Sequence, residues 1–70
     1  MSTLKELREE AGLTAFNLAA QSDVSLSTIN RMENGKEAVS RRIAYQVLNV
    51  LSSRIGRRIT VEDVEGLRIK

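Results

Sequence analysis

Apolar residues recur along the chain at the three- and four-residue spacing of helices, in blocks separated by polar punctuation. The first block is Leu4, Leu7 and Ala11. Thr3 with Glu6 three positions on predicts a capping box at its start, and Gly12 stops it. Thr14 is an N-cap for a second short helix carrying Leu18 and Ala19, with Phe16 also available for burial. Asp23 follows, a residue that tolerates the left-handed conformation. Ser25 then caps the stretch VSLSTINRMENG, residues 24–35, in which Ile29 and Met32 face one way and hydroxyls with Arg31 face the other. The longest block, Ile43, Ala44, Val47, Leu51 and Ile55, lies between Ser40 and Gly56. Beyond it, Thr60 with Asp63 predicts a fifth, short helix over Val61–Glu65. The tail GLRIK, residues 66–70, alternates apolar and charged positions and is equally readable as a strand.

The expectation is one all-α domain of five helices over residues 1–70, with a four-helix core at 1–56 and a short C-terminal helix and tail at 57–70. The second and third helices are joined by a few residues only, so residues 14–34 read as a helix-turn-helix. Such a unit needs a small residue where its helices cross, and Ala19 is one. It needs apolar side chains beneath the crossing, which Leu18, Val24, Ile29 and Met32 provide. It needs a turn residue that accepts positive φ, which Asp23 does.

Composition narrows the chemistry. Seventy residues suffice for one small domain, and a domain of this size buries only about 60% of its unfolded surface. With no Cys and no His, disulfides and the usual metal ligands are absent, so no metal and no cofactor are expected. Enzymatic catalysis lacks an inventory: there is no Gly-rich phosphate loop, and the carboxylate pairs Glu9–Glu10 and Glu62–Asp63 are chain neighbours that do not converge on a helix face. A single-strand binder would need aromatic platforms, and Phe16 and Tyr45 are the only aromatics. No apolar run is long enough for a membrane span, and the expected location is the cytoplasm. Net charge is only +2, but the basic residues gather late, at Arg31, Lys36, Arg41 and Arg42 and again at Arg54, Arg57 and Arg58.

The segments LKELREEAGLT, NLAAQSDVSLSTINRMENG and VSRRIAYQVLNVL together resemble the phage lambda repressor and Cro family, the xenobiotic-response-element type of helix-turn-helix. The resemblance spans roughly residues 3–65. It implies a compact lambda-repressor-like bundle of five helices, binding to duplex DNA, and a dimer on a near-palindromic operator. In that family the first turn of the third helix meets base edges in the major groove, which assigns base reading to Leu26, Ser27, Thr28 and Arg31. Leucine suits a thymine methyl, the hydroxyls donate or accept, and arginine forks onto guanine. Phosphate contacts fall to Asn34, the Gly35 amide, Lys36, Arg41 and Arg42. Arg8 and Glu33 match a structural ion pair between the first and third helices. The chain departs from the family at Ala15, where a phosphate-contacting Gln is frequent, at Asp23, where Gly is usual, and at Phe16, where the family is commonly polar.

The function this implies is a prokaryotic or phage-type transcriptional regulator, a small Cro-like repressor that occludes its operator. The length leaves no room for a ligand domain, so no small-molecule effector is expected. The competing reading is a protein-interaction module on the same fold, an antitoxin or bridging factor, whose partner meets the face with Leu26 and Arg31. For the dimer, residues 57–70 offer Ile59, Val61, Val64, Leu67 and Ile69 as a weak homodimer surface, with the neighbourhood of Tyr45 and Leu48 as the alternative.

Overall fold

The computed structural model describes residues 2–70 and has four α-helices. These are α1, Leu4–Glu10; α2, Ala15–Ser22; α3, Leu26–Asn34; and α4, Arg41–Ile55. Each begins where its cap residue stands. The Thr3 hydroxyl accepts from the Glu6 amide at 3.2 Å while the Glu6 carboxylate accepts from the Thr3 amide at 2.8 Å. Thr14, Ser25 and Ser40 likewise accept from the amides of Asn17, Thr28 and Ile43. Three of the four ends close on a residue in the left-handed region: Asp23 after α2, at φ 59° and ψ 41°, and the glycines after α3 and α4. A short Asp side chain tolerates that conformation, so the turn forms without the usual glycine.

The core collects one stripe from each helix. Leu4 and Leu7 from α1, Leu18 and Ala19 from α2, Ile29 and Met32 from α3, and Ala44, Val47, Leu48 and Leu51 from α4 are all buried. Leu13 and Val39, from the loops, complete the middle of it. Helix α2 packs against both α3 and α4, and its Ala19 is buried. Ser22 is also buried and donates its hydroxyl back to the Leu18 carbonyl at 2.5 Å, which satisfies a polar group that would otherwise be costly there.

The C-terminal part departs from the expected fifth helix. Val61–Asp63 form a single 3-10 turn, and Val64–Glu65 are extended. These two residues, β2, pair in parallel with Ser2–Thr3, β1, so the helical fold has four α-helices and a two-residue parallel pair in place of a fifth. The physical reason lies in Thr60 and Asp63. The Asp63 carboxylate accepts from the Thr60 amide at 2.9 Å and its hydroxyl at 3.1 Å, which closes one turn as readily as it opens a helix. A helix of five residues would also have had little to offset its nucleation cost. The turn instead delivers Val64 into the core beside the start of α1.

The tail takes its strand-like alternative. Val39 donates to the Arg68 carbonyl and accepts from the Lys70 amide, both at 2.9 Å, forming a parallel bridge between Val39 and Ile69. Consequently the candidate dimer surface over 57–70 is largely used by the monomer. Ile59 and Val64 are buried in the core, and Val61, Leu67 and Ile69 pack half-buried against it. Leu48, part of the alternative surface, is buried too, whereas Tyr45 is exposed. Phe16, a candidate for burial, is 67% exposed: it lies on the outer side of α2, opposite the face that carries Leu18, Ala19 and Ser22 into the core.

Candidate nucleic-acid interface

Helix α3 divides cleanly by its 3.6-residue period. Thr28, Ile29 and Met32 point inward, while Leu26, Ser27, Asn30, Arg31 and Asn34 are exposed. The inner face is anchored to α1 by an ion pair. Arg8 donates from Nε to Glu33 Oε2 at 2.6 Å and from Nη2 to Glu33 Oε1 at 3.3 Å. Its Nη1 donates to the Leu13 carbonyl at 3.1 Å, so the guanidinium spans α1, the following loop and α3. Both side chains are nearly enclosed, at 14% and 13% exposure. The hydrogen bond to Glu33 raises the Arg8 pKa above its ordinary value, against the opposing effect of burial.

Of the candidate base readers, Leu26, Ser27 and Arg31 stand on the outer face and Thr28 does not. Leu26 is 41% exposed and Ser27 is free on the surface. Thr28 is buried. Its hydroxyl shares a 2.8 Å hydrogen bond with Ser25 and accepts from Arg31 Nη2 at 3.3 Å. Thr28 therefore directs Arg31 from below. On the other side, Arg31 Nη1 lies 3.6 Å from Glu37 Oε2, in a pair that is half or more exposed. Arg31 is thus held by one hydroxyl and one loop carboxylate, and its guanidinium retains donors for a further partner.

The candidate phosphate contacts border this face. Asn34 ends α3 and is exposed, as are Lys36, Arg41 and Arg42. Gly35 adopts φ 67° and donates its amide to the Arg31 carbonyl at 3.1 Å, so that amide closes the helix. Ala15, where a family glutamine is frequent, packs partly buried against the core. Asn30 and Glu37 were not singled out in the sequence. Asn30 has a signal in retrospect, since it falls between Leu26 and Asn34 on the helical wheel, and an asparagine there suits the N6 and N7 edge of adenine. Glu37 has none, because its partner lies six residues away across a loop.

Two helices at a tight left-handed turn, the second with a polar outer face, define a helix-turn-helix domain. Residues 2–52 match the helix-turn-helix domain family of the Cro and lambda-repressor type, and the chain belongs to that family. The family is one of DNA-binding domains and is typically non-enzymatic. No curated protein and no solved structure matches the chain. No helix among the described residues is long and apolar enough to cross a membrane.

Proposed function

We propose that the protein is a sequence-specific regulator of transcription, a small cytoplasmic repressor that binds a near-palindromic duplex operator and blocks it. The observation that carries this reading is the outer face of α3. It is exposed and carries no acidic residue, and it presents Leu26, Ser27, Asn30 and Arg31 with Arg31 directed by the Thr28 hydroxyl. Leu26, Ser27 and Arg31 then read bases, joined by Asn30, while Thr28 acts through Arg31. Asn34, Lys36, Arg41 and Arg42 meet the phosphates on either side, and Gly35 supplies the tight exit from the helix.

One such helix reads too few base pairs for operator-level affinity. Two copies about 34 Å apart read one face of the duplex. Since Ile59 and Val64 serve the monomer core, the second copy docks on the exposed Tyr45 of α4 with the half-buried Val61 beside it, which line one depression. The association is weak and completes on DNA.

Selection from a random duplex pool, followed by titration of the enriched sequence at several salt concentrations, tests the reading. The expected result is a two-fold related sequence bound with a steep loss of affinity as salt rises. Recovery of no sequence above background, with a protein partner bound equally at all salts, would instead favour an interaction module presenting Leu26 and Arg31.

A further inference from the structure

The five residues after β2, Gly66–Lys70, run back along the loop that leaves α3 rather than away from the domain. Their course is fixed at three points. The Gly66 carbonyl abuts Gly35, where any side chain would put its Cβ 2.9 Å from that oxygen. Arg68 donates from Nη1 to the Lys36 carbonyl at 3.3 Å. The two backbone hydrogen bonds of Val39 clamp the chain on either side of Ile69. Alternation along this extended stretch turns Leu67 and Ile69 toward the core and leaves Arg68 and Lys70 exposed. Lys70 lines the same shallow depression, of about 190 Å³, as Thr28, Arg31 and Glu37.

The tail therefore carries two cations to the edge of α3's outer face, beside Lys36. Neither is in a salt bridge: among the described residues these are Arg8–Glu33, Arg31–Glu37 and Arg57–Glu10. The nearby carboxylate, Glu37, is engaged with Arg31. Cations outside any salt bridge, on backbone held by hydrogen bonds, are suited to a row of phosphates, which bind by displacing their counterions.

We propose that Arg68 and Lys70 form, with Lys36, a second phosphate-binding arm that holds the DNA backbone alongside α3. The proposal rests on the duplex-binding function set out above. It adds to the interface a segment beyond residues 2–52, the part of the chain that the family shares.

The test is the double substitution Arg68→Gln with Lys70→Gln, measured against the unaltered protein on the selected duplex. Each lost phosphate contact should flatten the plot of log K against log salt by about 0.9. The pair should therefore reduce the slope by about 1.8, with base preference unchanged and any fall in melting temperature limited to the loss of the one exposed Arg68–Lys36 hydrogen bond. Exchanging the two cations, Arg68→Lys with Lys70→Arg, should restore it. An unaltered slope in the double variant overturns the arm while leaving the duplex-binding reading intact. A loss of affinity equal at all salts, accompanied by a lower melting temperature, also overturns it, since the tail would then act only through the fold. Failure of the unaltered protein to bind any duplex overturns both.

Discussion

The two faces of α3 each carry an arginine–glutamate pair, and the pairs differ in every physical respect. On the inner side, Arg8 and Glu33 meet through two hydrogen bonds, with the shorter at 2.6 Å and both side chains nearly enclosed. On the outer side, Arg31 and Glu37 stand 3.6 Å apart with half or more of each side chain in water. Enclosure makes the first pair a fixture, because either charge alone would remain buried and uncompensated. Exposure makes the second a loose restraint, for a solvated pair is worth well under about 1 kcal/mol. One helix thus has a face locked to α1 and a face whose charged group is directed but still available.

The largest effect should come from breaking the inner pair. Glu33→Gln leaves Arg8 without its charge partner and should destabilise the domain by about 2–4 kcal/mol. For a protein of this size each kcal/mol moves the melting temperature by about 4–8 °C, so thermal unfolding should shift by roughly 8–32 °C. Base preference of the molecules that remain folded should not change. A shift of less than about 2 °C would mean that the two faces do not differ as described.

Breaking the outer side should produce the complementary result. Arg31→Ala should leave the melting curve within about 0.5 kcal/mol of the original. On an operator library it should cost about 1–3 kcal/mol and relax preference at one base pair of each half-site. Arg42→Gln sharpens the contrast, since a phosphate contact should weaken all sequences alike and reduce the salt slope by about 0.9. Equal behaviour of the two variants across the library would remove Arg31 from the readers.

A smaller effect is expected from Glu37→Gln. Releasing Arg31 from its carboxylate should strengthen binding to unrelated duplex and narrow the ratio between specific and unrelated sequences, without a change in melting temperature. The measurement is a competition assay with a non-specific competitor, and an unchanged ratio would show that Thr28 alone directs Arg31.

The smallest effect concerns the C-terminal turn. Hydrogen bonds from the Thr60 amide and hydroxyl hold the Asp63 carboxyl below its ordinary pKa of 3.8. A carboxyl lowered on folding contributes stability above its unfolded pKa and loses that contribution as the pH falls through its folded one. The melting difference between the original protein and Asp63→Asn should therefore be constant near neutrality and shrink as the pH falls below 3.8. A difference that stays constant into acid would place the bonds elsewhere.

The legible parts of the sequence were those decided by neighbours. Thr3 with Glu6, Thr14, Ser25 and Ser40 announce helix starts because a hydroxyl satisfies an amide three residues on, whatever the rest of the chain does. Asp23 announces the turn for an equally local reason. The site drew on both composition and resemblance. The outer position of Leu26, Ser27 and Arg31 follows from the helical period, whereas the pairing of Arg8 with Glu33 came only from likeness to a family. What was missed depends on distant or three-dimensional partners. The five-residue span after Thr60 is an extended pair because Ser2–Thr3 lie beside it, and no local rule reveals that. Thr28 reads as surface on the strength of its hydroxyl, yet that hydroxyl is satisfied by Ser25 and Arg31. The same non-local closure draws Ile59 and Val64 into the core.

The pairing of β1 with β2 also sets an order of events during synthesis. Ser2 and Thr3 emerge from the ribosome long before Val64 and Glu65, their partners in the sheet. At about 5–20 residues per second the interval is roughly 3–12 s, far longer than the microseconds a helix needs to form. For that interval α1 has its cap but not its strand partner, and the last of the four helices is complete only at Ile55, shortly before Val64 follows. The last β-pair then acts as a latch that closes only when nearly the whole domain is outside.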